Sequence, residues 1–246
     1  LGMNVFDATV HALTTVSTRG FANYDASFGT FVGVKEYAAS FFMILAALPF
    51  VRYVQLINGN TTAIWRDTQV HAFLGTIAVI VGVSAFTLTY IFPHSIERAV
   101  REALFNVVSV MSGTGFSSVD YMAWGPFLIA IFFFAGLIGG CAGSTACSVK
   151  IFRYQILFSS IRAQLRKTRS PHGIFTPRYD GRPVDADVLG SVMSFFVFFV
   201  VSLGLLSVAL GMTGLDFVTS LSGAATALAN IGPGLGDTIG PAGNFG

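Results

Sequence analysis

Three short stretches of this 246-residue chain repeat one spacing of chemically useful residues. Gly20, Gly115 and Gly232 hold corresponding positions. Six residues before them stand the hydroxyl-bearing Thr14, Ser109 and Thr226, and five residues after them stand Asp25, Asp120 and Asp237. Glycine is needed where backbone dihedrals are unusual or where no side chain fits. A backbone turning at such a glycine can aim its carbonyls at one axis, and rings of carbonyls replace the hydration shell of an alkali cation. The aspartates after the glycines would raise the local cation concentration at an outer mouth or brace the loop by accepting hydrogen bonds. Packing of small residues between helices is the plainer use of membrane glycines, but it does not explain the fixed offset to an aspartate.

Other chemistry finds little support. His11, His71, His94 and His172 are scattered without metal-ligand spacing. Cys141 and Cys147 form neither a C-x-x-C pair nor a disulfide framework. Gly232-Pro233-Gly234-Leu235-Gly236 lacks the lysine and the preceding strand of a phosphate loop, and no nucleophile elbow occurs. A membrane enzyme or a structural scaffold is therefore the weak alternative, and the chain is read as a non-enzyme.

The elements that must position these loops are membrane elements. Hydrophobic residues make up 53% of the chain, charged residues 11%, and mean hydropathy is +0.71. A soluble domain carries about a quarter charged residues. No Asp, Glu, Lys or Arg occurs from Thr68 to Ile96, from Tyr121 to Val149, or from Val188 to Leu215. Each gap exceeds the roughly 20 residues that cross a bilayer as a helix. Four long apolar segments are expected to span, at about 36–56, 70–92, 126–158 and 188–210. Three shorter ones, Val5–Val16, Val100–Met111 and Phe217–Leu228, are too short and lead straight into the glycine sequences. They read as re-entrant helices whose negative C-terminal ends would favour a cation. Irregular backbone at that depth survives only where protein buries it or where it lines a wet cavity. The expected fold is an all-α integral membrane protein of repeated span, pore helix, filter loop and span.

Two further stretches stand out. The third span would be about 50 Å long if continuous, and its middle reads Gly139-Gly140-Cys141-Ala142-Gly143-Ser144-Thr145-Ala146. Such a break is a kink, a packing surface or a segment lying across a conduction path. Eight of the fourteen basic residues then fall between Lys150 and Arg182, which is the positive-inside signal of a cytoplasmic loop rather than a nucleic-acid site.

The sequences Thr15-Val16-Ser17-Thr18-Arg19-Gly20-Phe21, Ser112-Gly113-Thr114-Gly115-Phe116 and Thr226–Gly236 resemble the filter loops of the TrkH/KtrB superfamily of bacterial potassium uptake subunits, the TrkH branch fitting best. The resemblance implies four span–loop–span units around one pore with pseudo-fourfold arrangement, a bacterial inner-membrane location, and a homodimer. It implies potassium ions held by the backbones of Ser17, Thr18, Arg19 and Gly20, of Ser112, Gly113, Thr114 and Gly115, and of Ala229, Asn230, Ile231 and Gly232. It further implies a gating loop containing Gly139, Gly140, Gly143, Ser144, Thr145 and Lys150, and control by a cytoplasmic TrkA-like ring that alone binds nucleotides. No covalent cofactor is expected; potassium and membrane lipids are the other partners. Three loops where a closed pore needs four suggest a fragment, divided as a partial second unit (1–57), a third unit (58–158), a basic loop (159–186) and a partial fourth unit (187–246). Arg19 departs from the small residue usual before the filter glycine, and its guanidinium is expected to point into protein or to the outer mouth. A sodium-preferring or poorly selective pore of the same architecture is the alternative.

Overall fold

The computed structural model describes residues 2–236 and 239–241, and these are mainly helical. In chain order come α1 (Val5–Val16), α2 (Val34–Ala46), α3 (Phe50–Ile57), α4 (Thr68–Tyr90), α5 (Ile96–Ser112) and α6 (Pro126–Leu137). After α6 follow the two-residue strands β1 (Ile138–Gly139) and β2 (Val149–Lys150), then α7 (Ile151–Arg169). A small hairpin, β3 (Arg178–Tyr179) and β4 (Arg182–Pro183), leads to α8 (Ala186–Gly211) and α9 (Phe217–Ala229). Short 3-10 turns at Ser27–Phe31 and Tyr121–Trp124 follow the first and second glycine loops.

The three helices that lead into glycine loops all start on a side-chain cap, which satisfies amide groups that the helix itself leaves unbonded. Asn4 accepts the Asp7 N–H at 2.7 Å, Ser95 accepts the Arg98 N–H at 3.4 Å, and Asp216 accepts the Val218 N–H at 3.0 Å. Of these helices α5 is the most central. Ala99, Ala103, Phe105, Val107, Val108 and Met111 along it are fully buried, packed by α2, α4 and α6. A buried ion pair fixes α2 to it: Glu36 accepts the Gly33 N–H at 2.8 Å and pairs with Arg101, whose Nε also meets Glu97 at 2.9 Å. Phe28, Phe31 and Phe116 cluster around the His11 ring and Phe105 packs on Phe28, joining the first loop to the second.

Two of the four expected spans are unbroken helices. The helices α4 and α8 are long and apolar enough to cross a membrane. Only Val192 of α8 is fully buried, with α9 and α7 packed against the helix and much of the rest exposed. The first expected span is instead bent by 87° between α2 and α3. Pro49 is the cause, since it lacks an N–H and disfavours helix in the residue before it. The third breaks at the glycine cluster: α6 has 12 residues, and residues 138–150 leave the helix altogether before α7 begins.

Candidate functional site

All three glycine loops are built on the same turn. The N–H just before each glycine bonds a carbonyl five residues back: Arg19 to Thr14 at 3.0 Å, Thr114 to Ser109 at 2.9 Å, and Ile231 to Thr226 at 3.2 Å. The hydroxyl positions that repeat in the sequence are therefore the residues whose carbonyls close the helices. Their side chains differ in use, because only Ser109 Oγ reaches its own loop, donating to the Phe116 carbonyl at 2.6 Å. Two residues before each glycine the chain is left-handed, with φ of 49° at Thr18, 73° at Gly113 and 52° at Asn230. The glycines themselves take φ of 62°, 81° and 118°.

The loops abut one another. A Cβ on Gly20 would fall 1.9 Å from the Thr114 carbonyl oxygen, and one on Gly115 would fall 2.6 Å from that of Ile231. One on Gly232 would lie 2.6 Å from the Gly115 Cα. Dihedral and space both exclude an L side chain at these three positions. The arrangement brings Ser17–Gly20, Ser112–Gly115 and Ala229–Gly232 to one place, with the C-terminal ends of α1, α5 and α9 directed there.

Residues 138–150 lie against those same helix ends. The segment is closed by parallel pairing of Ile138 with Val149 and of Gly139 with Lys150. Thr145 Oγ1 donates to the Val16 carbonyl at 3.1 Å, and Thr18 Oγ1 donates to the Thr145 carbonyl at 2.8 Å. The Cys147 N–H bonds the Ser112 carbonyl at 3.2 Å, and the Ser148 N–H bonds that of Ala229 at 2.8 Å. One strand of chain thus touches all three helix ends. The Gly139 and Gly140 positions allow nothing larger, since a Cβ would meet Cys147 O at 2.1 Å or the Ala146 Cβ at 2.5 Å. The Gly143 carbonyl accepts the Phe50 N–H at 2.9 Å, and Ser144 Oγ donates to Cys141 O at 2.6 Å. Lys150 Nζ donates to the Ala146 carbonyl and, at 3.5 Å, to that of Ser144.

Of the two directions expected for Arg19, its Nη1 takes the one toward protein, lying 3.8 Å from Cys147 Sγ on the interrupting segment. Asn230 Nδ2 approaches the same sulfur at 3.3 Å. The residues on either side of Arg19 are left-handed, with φ of 49° at Thr18 and 62° at Gly20.

Beyond the glycines, Asp25 is exposed, and Asp120 Oδ1 accepts the Met122 N–H at 3.0 Å, capping a 3-10 turn. Asp237 lies outside the described residues. Other side chains tie the loops to their helices three residues past the glycine. Asp7 accepts from Asn23 Nδ2 at 2.9 Å and from the neighbouring Tyr24 hydroxyl at 2.8 Å. Asn106 Nδ2 donates to Ser118 Oγ at 3.0 Å, and Ser222 Oγ donates to the Leu235 carbonyl at 2.8 Å. Asn23, Ser118 and Leu235 share no side-chain type, so no repeat in the sequence pointed to them.

A family model described as "TrkH: Cation transport protein" matches residues 2–243. The Trk system potassium uptake protein TrkI of Halomonas elongata is 42% identical, over 99% of this chain and 50% of its own length. The TrkH protein of Vibrio parahaemolyticus is 31% identical over 96% of this chain and 50% of its own length. The crystal structure of the potassium transporter TrkH from Vibrio parahaemolyticus superposes with a TM-score of 0.91 at 28% identity, covering 96% of this chain and 52% of that one. The chain spans about half the length of the curated relatives it matches. With a family model covering nearly every residue and a relative this similar, the chain belongs to the TrkH family of cation transport proteins, which are membrane transporters and not enzymes.

Proposed function

We propose that this chain carries most of the pore of a Trk-type potassium uptake subunit in the bacterial inner membrane. Backbone carbonyls of the three glycine loops would replace the hydration of potassium ions, and the converging C-terminal helix ends would supply negative potential. The observation that supports this most is the shared turn: three separate helices end in the same hydrogen-bonded, left-handed geometry, packed glycine against glycine. The units at 1–57, 58–158 and 187–246 would each contribute one loop to a ring completed by a fourth.

Residues 138–150 would be the gate. Carbonyls of Val16, Ser112 and Ala229 that could face an ion are bonded instead to Thr145, Cys147 and Ser148. At about 1 kcal/mol net for each hydrogen bond, the four contacts to the helix ends amount to about 4 kcal/mol. A shift from 1:99 to 99:1 needs about 5.5 kcal/mol, so a partner with differential affinity for the two forms would suffice. That partner would be a cytoplasmic TrkA-like ring carrying the nucleotide, acting on a homodimer.

The test is ion flux into liposomes holding the full-length protein. Gly115→Ser should lower potassium flux and its preference over sodium, because the new Cβ meets the Ile231 carbonyl in a left-handed position. Unchanged selectivity and flux would remove the loops from the pathway. Sodium flux above potassium flux in the unaltered protein would favour the sodium-preferring alternative.

A further inference from the structure

The cytoplasmic side holds a cluster that neither the glycine loops nor the interrupting segment uses. Arg162 and Arg166 stand one turn apart on α7, and Arg178 is brought alongside by β3. Together with Ser159, Ile174 and Phe175 they line a cavity of about 440 Å³. A second cavity of about 360 Å³ shares Ser159, Arg162 and Arg178 but also holds Asp180, whereas no acidic residue among those described lines the first. Among the described residues, the arginines that meet a carboxylate are Arg52, Arg98 and Arg101, so these three guanidiniums have no acidic partner within 4.0 Å.

The cluster is held in place. Ser159 Oγ accepts the Arg178 N–H at 2.9 Å and donates to the Arg178 carbonyl at 2.8 Å, fastening the hairpin to α7. Basic residues at a helix C-terminus complement its dipole, which accounts for Arg166 but not for Arg178 or the cavity. Beside them Ile174 is 95% exposed. That combination suits the membrane boundary, where an apolar side chain enters lipid while guanidiniums meet headgroups. The long apolar α8 starts three residues after the hairpin, at Ala186, which keeps the site near that boundary.

We propose that this cavity binds the phosphodiester headgroup of an anionic phospholipid from the cytoplasmic leaflet. A phosphate offers several acceptor oxygens to planar guanidinium donors, a match that arginine makes better than lysine. The proposal does not depend on the potassium reading, because its readout is lipid retention. The full-length protein would be purified with phosphatidylglycerol, and the lipid retained would be counted by native mass spectrometry. Replacing Arg162, Arg166 and Arg178 together by Gln should reduce retention by about fivefold for each guanidinium lost. A charge-matched variant with Lys167→Gln, Arg169→Gln and Arg182→Gln should retain the lipid. Single Arg162→Gln and Arg178→Gln variants, checked for an unchanged melting temperature, give the result if the triple variant misfolds. Equal loss in both triple variants would mean general surface charge and overturn the site. Displacement of the lipid by millimolar inorganic phosphate would make it a soluble-phosphate site. Unchanged lipid retention, with loss of binding to the cytoplasmic ring instead, would make it a protein-docking surface and equally overturn the proposal.

Discussion

Two apolar segments of this protein are broken, and the breaks are built differently. At Pro49 the interruption is three residues long, Ala47 to Pro49, and turns the chain by 87°. At residues 138–150 the interruption is thirteen residues long and closes on itself through a parallel strand pair. Proline makes the first by withholding a donor and straining the residue before it. Glycine makes the second by letting two strands approach closer than any Cβ permits. Each break also completes the other. The Ala46 and Ala47 carbonyls freed at the bend accept Thr145 N–H at 3.3 Å and Cys141 N–H at 3.0 Å, and the Phe50 N–H returns a bond to Gly143. In a membrane such groups have no water to turn to. A hinge set by proline is local, whereas a loop set by glycine is held by distant contacts and is the more easily displaced.

The largest effect should come from shortening the longer break. Deleting Gly143–Thr145 removes the Thr145 bonds to Val16, Ala46 and Thr18 and the Gly143 bond to Phe50. At about 1 kcal/mol each, three or four lost bonds should raise partner-independent potassium flux by about a hundredfold or more in liposomes. Flux that stays low and wholly partner-dependent would put the gate elsewhere.

Point substitutions sharpen the contrast. Gly139→Val forces a Cβ against the Cys147 carbonyl and should destabilise the closed segment by about 1–3 kcal/mol, raising both flux and the reactivity of Cys147 toward a thiol reagent. Pro49→Ala should change either quantity by less than about fivefold, since the bend is also held by its hydrogen bonds to the segment and leaves no forbidden contact. Similar responses from the two variants would erase the distinction between hinge and loop. A smaller effect is expected at Arg19. Removing its charge from beneath the loops with Arg19→Gly should raise potassium flux by about fivefold, equivalent to about 1 kcal/mol of relieved repulsion. Lower flux would mean that the guanidinium supports the loop instead.

Sequence alone disclosed the glycine break and the short helices because both leave local marks. The stretch Val5–Val16 is read to the residue, and Phe217–Leu228 to within one. The bend at Pro49 was less visible, since 36–56 is mostly apolar across its middle and a proline inside a membrane helix is often tolerated. The ties at Asn23, Ser118 and Leu235 were not legible at all, because their partners Asp7, Asn106 and Ser222 stand at different offsets on their helices.

The smallest predicted effect touches neither break and serves as their control. The Thr219 hydroxyl and amide hold the Asp216 carboxyl below the usual carboxylate range at the start of α9. A depressed folded value means that this contribution is present above about pH 4 and is lost as pH falls through that lower value. Asp216→Asn should therefore slightly flatten the acid side of a melting-temperature profile without altering flux at neutral pH. A change in flux would tie this cap to the glycine loop at the other end of α9.

The amide groups of Cys147 and Ser148 carry one more consequence. Their protons are trapped between the interrupting segment and the ends of α5 and α9. They exchange with deuterium only when those bonds part, so their isotope uptake counts separations directly. The two peptide groups form a clock for this contact that needs no ion gradient and no current.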